Sequence, residues 1–234
     1  MQVTEKSGFW AGLATAVPLI LGYLPIAFSF GVAATRLGLT GVEAFALSLI
    51  IYAGAAQFLA IALIAAGAPL AVAAFTLVAM NLRHVLYGPA LVKRMGPQVR
   101  LRHAWAWSFG LTDEVFGAAL GALARGRRFS EPFMFGLSIG AYGAWLTGTA
   151  VGAYAGGGAL EGYPAVSAAL GFMLPALFLA LLLSILTRAQ VPVILIAGAA
   201  TVLVTLYGSA TAGLLAGMVT GAVLGVMRKA PDAQ

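Results

Sequence analysis

The stretch Asn81-Leu82-Arg83-His84-Val85-Leu86-Tyr87 decides how this chain is read, because it sets two basic side chains inside an apolar run from Ala68 to Val92. That run is long enough to cross a bilayer, since about 20 apolar residues at ~1.5 Å each span a hydrocarbon core of ~30 Å. Arg83 precedes Lys93, the first charge of the following loop, by ten positions, which places it roughly 15 Å below the helix end. A guanidinium at that depth costs at least ~2.5 kcal/mol unless it meets a partner or a wet cavity. The next apolar run, Ala104 to Ala124, offers Asp113-Glu114. In an antiparallel hairpin turning near Gln98, Arg83 and Asp113 fall at equal depth. The two runs therefore predict an Arg83–Asp113 pair at the polar centre of a helical bundle.

The composition sets the class. Of 234 residues, 62% are hydrophobic and only 9% charged, against about 25% charged in an ordinary soluble domain. An all-α polytopic membrane protein of seven or eight transmembrane helices is expected, with residues 1–234 forming one transmembrane domain. The absence of Cys excludes disulfides, thiolate catalysis and Cys-based metal sites. The net charge of +6 is grouped at helix ends: Lys93, Arg94, Arg100 and Arg102; Arg125, Arg127 and Arg128; Arg228 and Lys229. That grouping reads as positive-inside anchoring to the bilayer and not as a nucleic-acid surface. The first run follows Lys6 and is too long for a signal-peptide core, so it is expected to be retained.

Each run carries its own signal. Phe9 to Thr35 is interrupted by Pro18, Gly22 and Pro25. Because an internal proline removes a hydrogen bond, and irregular backbone at membrane depth belongs beside a cavity, a discontinuous first helix is expected, open between Gly22 and Ser29. Glu43 to Ala66 holds Tyr52-Ala53-Gly54-Ala55-Ala56-Gln57-Phe58, where small residues allow close backbone approach. Gln57 reads either as an interhelical hydrogen bond or as a substrate contact. Pro132 to Ala155 carries Gly136, Gly140, Ala144, Gly148 and Gly152, a small-residue stripe for helix packing, and Gly156 continues it. Ala165 to Leu186 contains Pro175, and Val191 to Leu206 follows. Ala210 to Met227 carries a second stripe at Gly213, Gly217, Gly221 and Gly225. Two stripes exceed the needs of one helix pair, so one of them is expected to serve a partner subunit.

A displacement of about 120 residues brings Ala56-Gln57-Phe58-Leu59-Ala60 onto Ala176-Leu177-Phe178-Leu179-Ala180, and Leu86-Tyr87-Gly88 onto Leu206-Tyr207-Gly208. Repeated halves, 9–124 and 132–228, with some helices discontinuous, are a pattern of secondary transporters. Eight full crossings would set the basic loops 93–103 and 125–128 on opposite sides, against the positive-inside tendency. One of the first four runs is therefore expected to be re-entrant or half-crossing.

Gln57, Asn81, Arg83, His84, Asp113 and Glu114 make up most of the deep polar inventory, and several readings of it stand side by side. A transport site for a zwitterion needs a cation for the carboxylate and an acceptor for the ammonium, and proton coupling needs a carboxylate or His that titrates within reach of cellular pH. An embedded enzyme would use His84 with a carboxylate, but the only other His is His103 and no H-x-x-x-H or H-E-x-x-H spacing occurs; no catalysis, metal or cofactor is expected. A purely structural Arg83–Asp113 pair would fix helix register. A channel would need a ring of like groups.

Pro25 with Phe28-Ser29-Phe30-Gly31, then Tyr52 to Phe58, Asn81 to Tyr87 and Leu111-Thr112-Asp113-Glu114 resemble, in order and spacing, the successive motifs of the AzlC-type branched-chain amino-acid permease family. In the second half only Pro175-Ala176-Leu177-Phe178 and the hydropathy match. The resemblance implies a bacterial inner-membrane, multi-pass secondary transporter that exports Val, Leu, Ile and Met, as the large subunit beside a small AzlD-type membrane protein. On that reading Pro25, Phe28, Ser29, Gly54, Gln57, Phe58, Asn81 and Arg83 are candidates for substrate contact, with Phe28 and Phe58 in an apolar pocket. His84, Asp113 and Glu114 are candidates for proton coupling and gating.

Overall fold

The computed structural model describes residues 5–95, 101–156, 162–166, 168–169 and 188–227, with 172, 176, 179, 183 and 186. Run six, with Pro175 and the segment aligned to Gln57, lies largely outside them, as do Gln98, Arg228 and Lys229. The described residues are helical, without strands: α1 Glu5–Arg36, α2 Gly41–Ile50, α3 Gly54–Ala65, α4 Leu70–Asn81, a 3-10 turn at Leu82–Leu86, α5 Tyr87–Met95, α6 Ala104–Ser108, α7 Asp113–Ala124, α8 Glu131–Tyr154, α9 Val191–Tyr207 and α10 Ala210–Met227. Gly8–Arg36 and the interrupted Leu70–Met95 are long and apolar enough to cross a membrane.

The first run is one continuous helix, which corrects the expected opening between Gly22 and Ser29. Pro18 and Pro25 lie two turns apart on its exposed face, so the lost hydrogen bonds fall on one side while the other side is held by α8. One re-entrant or half-crossing run is expected among the first four; the breaks occur in three of them, runs two (43–66), three (68–92) and four (104–124). They fall at Ile51–Ala53, Leu82–Leu86 and Phe109–Thr112.

α1 and α8 run parallel and form the most extensive contact in the molecule. The stripe on α8 makes this approach close. A Cβ on Gly148 would lie 2.7 Å from the Leu24 carbonyl oxygen, and one on Gly140 would lie 2.8 Å from Ala16 Cβ. At Gly136 and Gly152 a Cβ would overlap the carbonyl oxygens of Phe9 and Phe28; on α1, Gly12 and Gly31 stand in the same relation to Phe133 and Thr149. Van der Waals packing of this kind is the main attraction between helices in lipid.

Runs two and four each fold back on themselves. α2 begins beside Ala153, near the C-terminal end of α8, and descends until Ser48 meets Thr149. After Tyr52 the chain turns, and α3 climbs from Trp145 past Phe58, which meets Phe30, to Ile61 in a cluster with Ala34, Ala44 and Ala153. Run four enters from the other end. The backbone N–H groups of Arg102 and His103 and the indole N–H of Trp107 donate to Glu131, the first residue of α8. α6 then rises to Ser138, whose hydroxyl donates to the Trp107 carbonyl. α7 returns to Arg125, and Gly126, at φ +85°, reverses the chain toward α8 in a left-handed conformation natural to glycine.

Arg102, Arg125, Arg127 and Arg128 are thereby gathered at one end of α8, with Arg127 over the Phe133 ring at 4.4 Å. The conflict with the positive-inside tendency disappears because run four returns to the end from which it started.

Cα proximity groups the chain into two units: one holds α1 to α8 apart from the start of α4, and the other holds Gly67–Val72 with α9 and α10. In the second unit, Gly213 and Gly217 face Thr205 and Thr201, and Gly221 lies 3.5 Å from Ala197. This second stripe packs within the chain, α10 on α9, as the first packs α8 on α1, so neither is free for the partner-serving role expected of one of them; of the second stripe only Gly225 meets nothing within 4 Å among the described residues.

Candidate functional site

The three backbone breaks converge. The tips of the two hairpins touch where Tyr52 stacks on Phe109 at 6.2 Å between centroids, and Tyr142 of α8 packs against both rings. The third break, the 3-10 turn after α4, supplies Arg83, whose Nη2 lies 2.7 Å from Asp113 Oδ2 at the start of α7. Tyr87 donates its hydroxyl proton to the other carboxylate oxygen and stacks on Phe116 at 4.5 Å. Both members of the ion pair are about half-exposed, so the pair faces an open space and is not sealed in the core.

Thr112 caps α7 by accepting from the Val115 N–H at 3.2 Å. Two carboxylates in a helix's first turn suit its positive end. Glu114 Oε2 accepts from the Tyr23 hydroxyl at 2.7 Å, and Tyr23 lies 2.5 Å from Thr112 Oγ1. With the single Tyr23 proton on the carboxylate, Thr112 donates to Tyr23, and a hydroxyl chain ends on Glu114. His84 packs edge-on against Tyr87 at 5.1 Å. Asn81, at the head of the turn, has a buried side-chain oxygen without a partner among the described residues. Beside it runs an open groove of about 450 Å³ lined by Ile51, Leu77, Val78, Leu82 and Val85.

Of the residues singled out in the sequence, Asn81, Arg83, His84, Asp113 and Glu114 come together here. The others do not. Gln57 is fully buried in a separate knot, donating to Ser48 Oγ at 2.8 Å and accepting from the Trp145 indole at 2.9 Å; the interhelical reading fits it. Gly54 is where the Trp145 ring packs, with a Cβ there only 2.6 Å from it. Phe58 belongs to the apolar cluster around Phe30, the backbone of Phe28 packs on Gly152, Ser29 bonds its own helix at Ile26, and Pro25 is exposed. Sequence reasoning missed Tyr23, Tyr52 and Tyr87. The break before α7 had a signal, since Thr112 followed by two acids is an N-cap signature; the Tyr52 turn, at φ +41°, had none.

An all-helical membrane protein with a charged centre among broken helices is a transporter-like architecture. The family model described as AzlC protein matches residues 18–158, and the chain belongs to the AzlC family. It is 44% identical to "Inner membrane protein YgaZ" of Escherichia coli (strain K12), over 96% of this chain and 94% of that one. It is 36% identical to an uncharacterized membrane protein of Archaeoglobus fulgidus over 95% and 96% of the two chains. It is 24% identical to "Branched-chain amino acid transport protein AzlC" of Bacillus subtilis (strain 168), over 64% of this chain and 60% of that one. No solved structure gives a significant match.

Proposed function

We propose that this chain is a secondary transporter that exports branched-chain amino acids across the bacterial inner membrane, coupled to protons, together with a small membrane subunit. The observation that carries the reading is the convergence of three helix breaks on Arg83, Asp113 and Glu114. Ionisable groups at that depth are costly and mark substrate or proton pathways. The name of the Bacillus subtilis relative supports the substrate class, and the apolar groove beside Asn81 offers room for an aliphatic side chain. Such a groove discriminates one methylene by only ~1–3 kcal/mol, so Val, Leu, Ile and Met share the site.

In this mechanism Arg83 and Asp113 pair when the site is empty. The substrate carboxylate competes for Arg83, or a proton neutralises Asp113, and the released pair lets the hairpin tips part on one side and close on the other. The half-exposed pair, within reach of an entering ligand, supports this over a sealed structural bridge.

Efflux of radiolabelled Val, Leu, Ile and Met from cells making the chain, with and without its small partner, tests the proposal. Efflux above the empty vector and dependent on the partner is expected; efflux equal to the vector in both cells would remove it.

A further inference from the structure

The charges of the site do not balance. Arg83 is the one guanidinium bonded in it among the described residues, and it is committed to Asp113. Glu114 is answered only by neutral hydroxyls, Tyr23 on Oε2 with Thr112 behind it, and has no cation partner among the described residues. His84 is packed on Tyr87, on the Arg83 side of the site.

A second observation points to the same gap. Tyr52 is 4% exposed, and its hydroxyl is enclosed without a hydrogen-bond partner among the described residues. Its ring stacks on Phe109, three residues before Thr112, and the Trp145 ring, which packs on Gly54 two residues after Tyr52, meets the ring of Tyr23, the donor to Glu114, at 5.2 Å. The residue is held at φ +41°, a left-handed conformation rare for an aromatic, so the fold maintains strain to keep this ring at the hairpin tip. A buried unpaired hydroxyl is costly and calls for a reason in a native fold, of which a functional role is one. Carboxylates only accept, so a group that satisfies both sites carries several N–H donors and a positive charge. A primary ammonium does.

We infer that Glu114 and Tyr52 together hold the α-ammonium group of the transported amino acid, which donates to Glu114 Oε1 and to the Tyr52 hydroxyl oxygen. This rests on the amino-acid transport reading and adds an orientation to it: the cationic end of the substrate faces the meeting tips of the hairpins, and the Arg83 guanidinium is left for the carboxylate end.

Competition against labelled L-valine on the full-length chain in lipid nanodiscs tests the assignment. Valinol keeps the ammonium and 2-hydroxyisovalerate replaces it with a hydroxyl. Valinol is expected to compete, and the hydroxy acid to compete at least about tenfold more weakly than valine, the loss of one charge-assisted hydrogen bond or more. Tyr52→Phe should weaken valine about tenfold and leave the hydroxy acid unchanged, and Glu114→Gln should erase the preference for valine. A wild type that takes valine and the hydroxy acid equally, or a folded Tyr52→Phe with wild-type valine affinity, overturns the assignment alone. A wild type that binds no branched-chain amino acid removes the transport reading and the assignment with it.

Discussion

Tyr52 stacks on Phe109 with their ring centroids 6.2 Å apart, although the two residues reach that point from opposite ends of α8. The contact joins the tip of the α2–α3 hairpin to the tip of the α6–α7 hairpin. Between the hairpins the unit is closed by aromatic rings, while α1 and α8 run past them as continuous helices.

The chain contains no Cys, so that contact can be trapped cleanly. In Tyr52→Cys with Phe109→Cys, whose transport is already lowered by the loss of the Tyr52 hydroxyl, a short, reducible bis-methanethiosulfonate linker should cross-link the two positions and stop the remaining transport, and reduction should restore it to the level of the unlinked double variant. The measurement is labelled-valine efflux before and after reduction, alongside each single-Cys variant. Failure to cross-link in a folded, membrane-inserted double variant would show that the tips do not meet.

Arg83→Ala should leave membrane insertion and protein level unchanged and lower transport ten- to hundredfold, the range expected from losing a hydrogen bond to a charged group, about 1.5–3 kcal/mol. The exchange Arg83→Asp with Asp113→Arg separates the two roles of the pair. A purely structural bridge predicts low protein level in the single variants and recovery in the exchange. A transport site predicts normal levels throughout and no recovery of efflux, because the Asp113 position also receives the Tyr87 hydroxyl and sits in the first turn of α7, where a guanidinium is unfavourable.

Much of the fold could be read from residue type, because hydrocarbon imposes strict rules on charge and small residues. The depth match of Arg83 with Asp113 rested on the cost of a lone guanidinium, and the ion pair is present at 2.7 Å. The four-residue spacing on α8 named a packing face. The breaks were misplaced for a physical reason. A proline by itself signals discontinuity, but Pro18 and Pro25 face outward, where a helix supported by α8 on its other side absorbs them. The actual turn at Ile51–Ala53 contains no proline and no glycine, and is held by tertiary contacts of Tyr52 that no local pattern encodes. Gln57 resembled a ligand group because it is polar and deep; Ser48 and Trp145, which satisfy it, come from elsewhere in the sequence.

The glycine contacts give a paired prediction within one helix. Gly12→Ala puts a methyl group against the Phe133 carbonyl, whereas a Cβ at Gly22 meets nothing within 4 Å. Gly12→Ala should destabilise by about 1–3 kcal/mol, as overpacking does. Gly22→Ala should be neutral or stabilise by up to about 1 kcal/mol through helix propensity. The thermal midpoints of the detergent-solubilised proteins, read by size-exclusion chromatography after heating, should fall for Gly12→Ala and hold or rise for Gly22→Ala. A fall of equal size in both would remove the close α1–α8 approach as the cause.

Glu131 ties the start of run four to the start of α8, at the basic end of the unit. Burial pushes its carboxyl up, but the N–H groups of His103 and Arg102, the Trp107 indole and the His103 ring outweigh that, so its pKa lies below the ordinary carboxylate range. A depressed folded pKa means that the stabilisation is fully present above the unfolded value of about 4.5 and is lost as pH falls through the lower folded value. Glu131→Ala should therefore cost about 1–3 kcal/mol at neutral pH, from the donors left unpaired. The gap between wild type and variant should narrow as the pH is lowered below about 4.5. Thermal midpoints of both proteins between neutral pH and the acid limit of solubility would show this convergence. A constant gap across that range would mean that Glu131 acts by packing alone and that its charge is not what holds the hairpin in place.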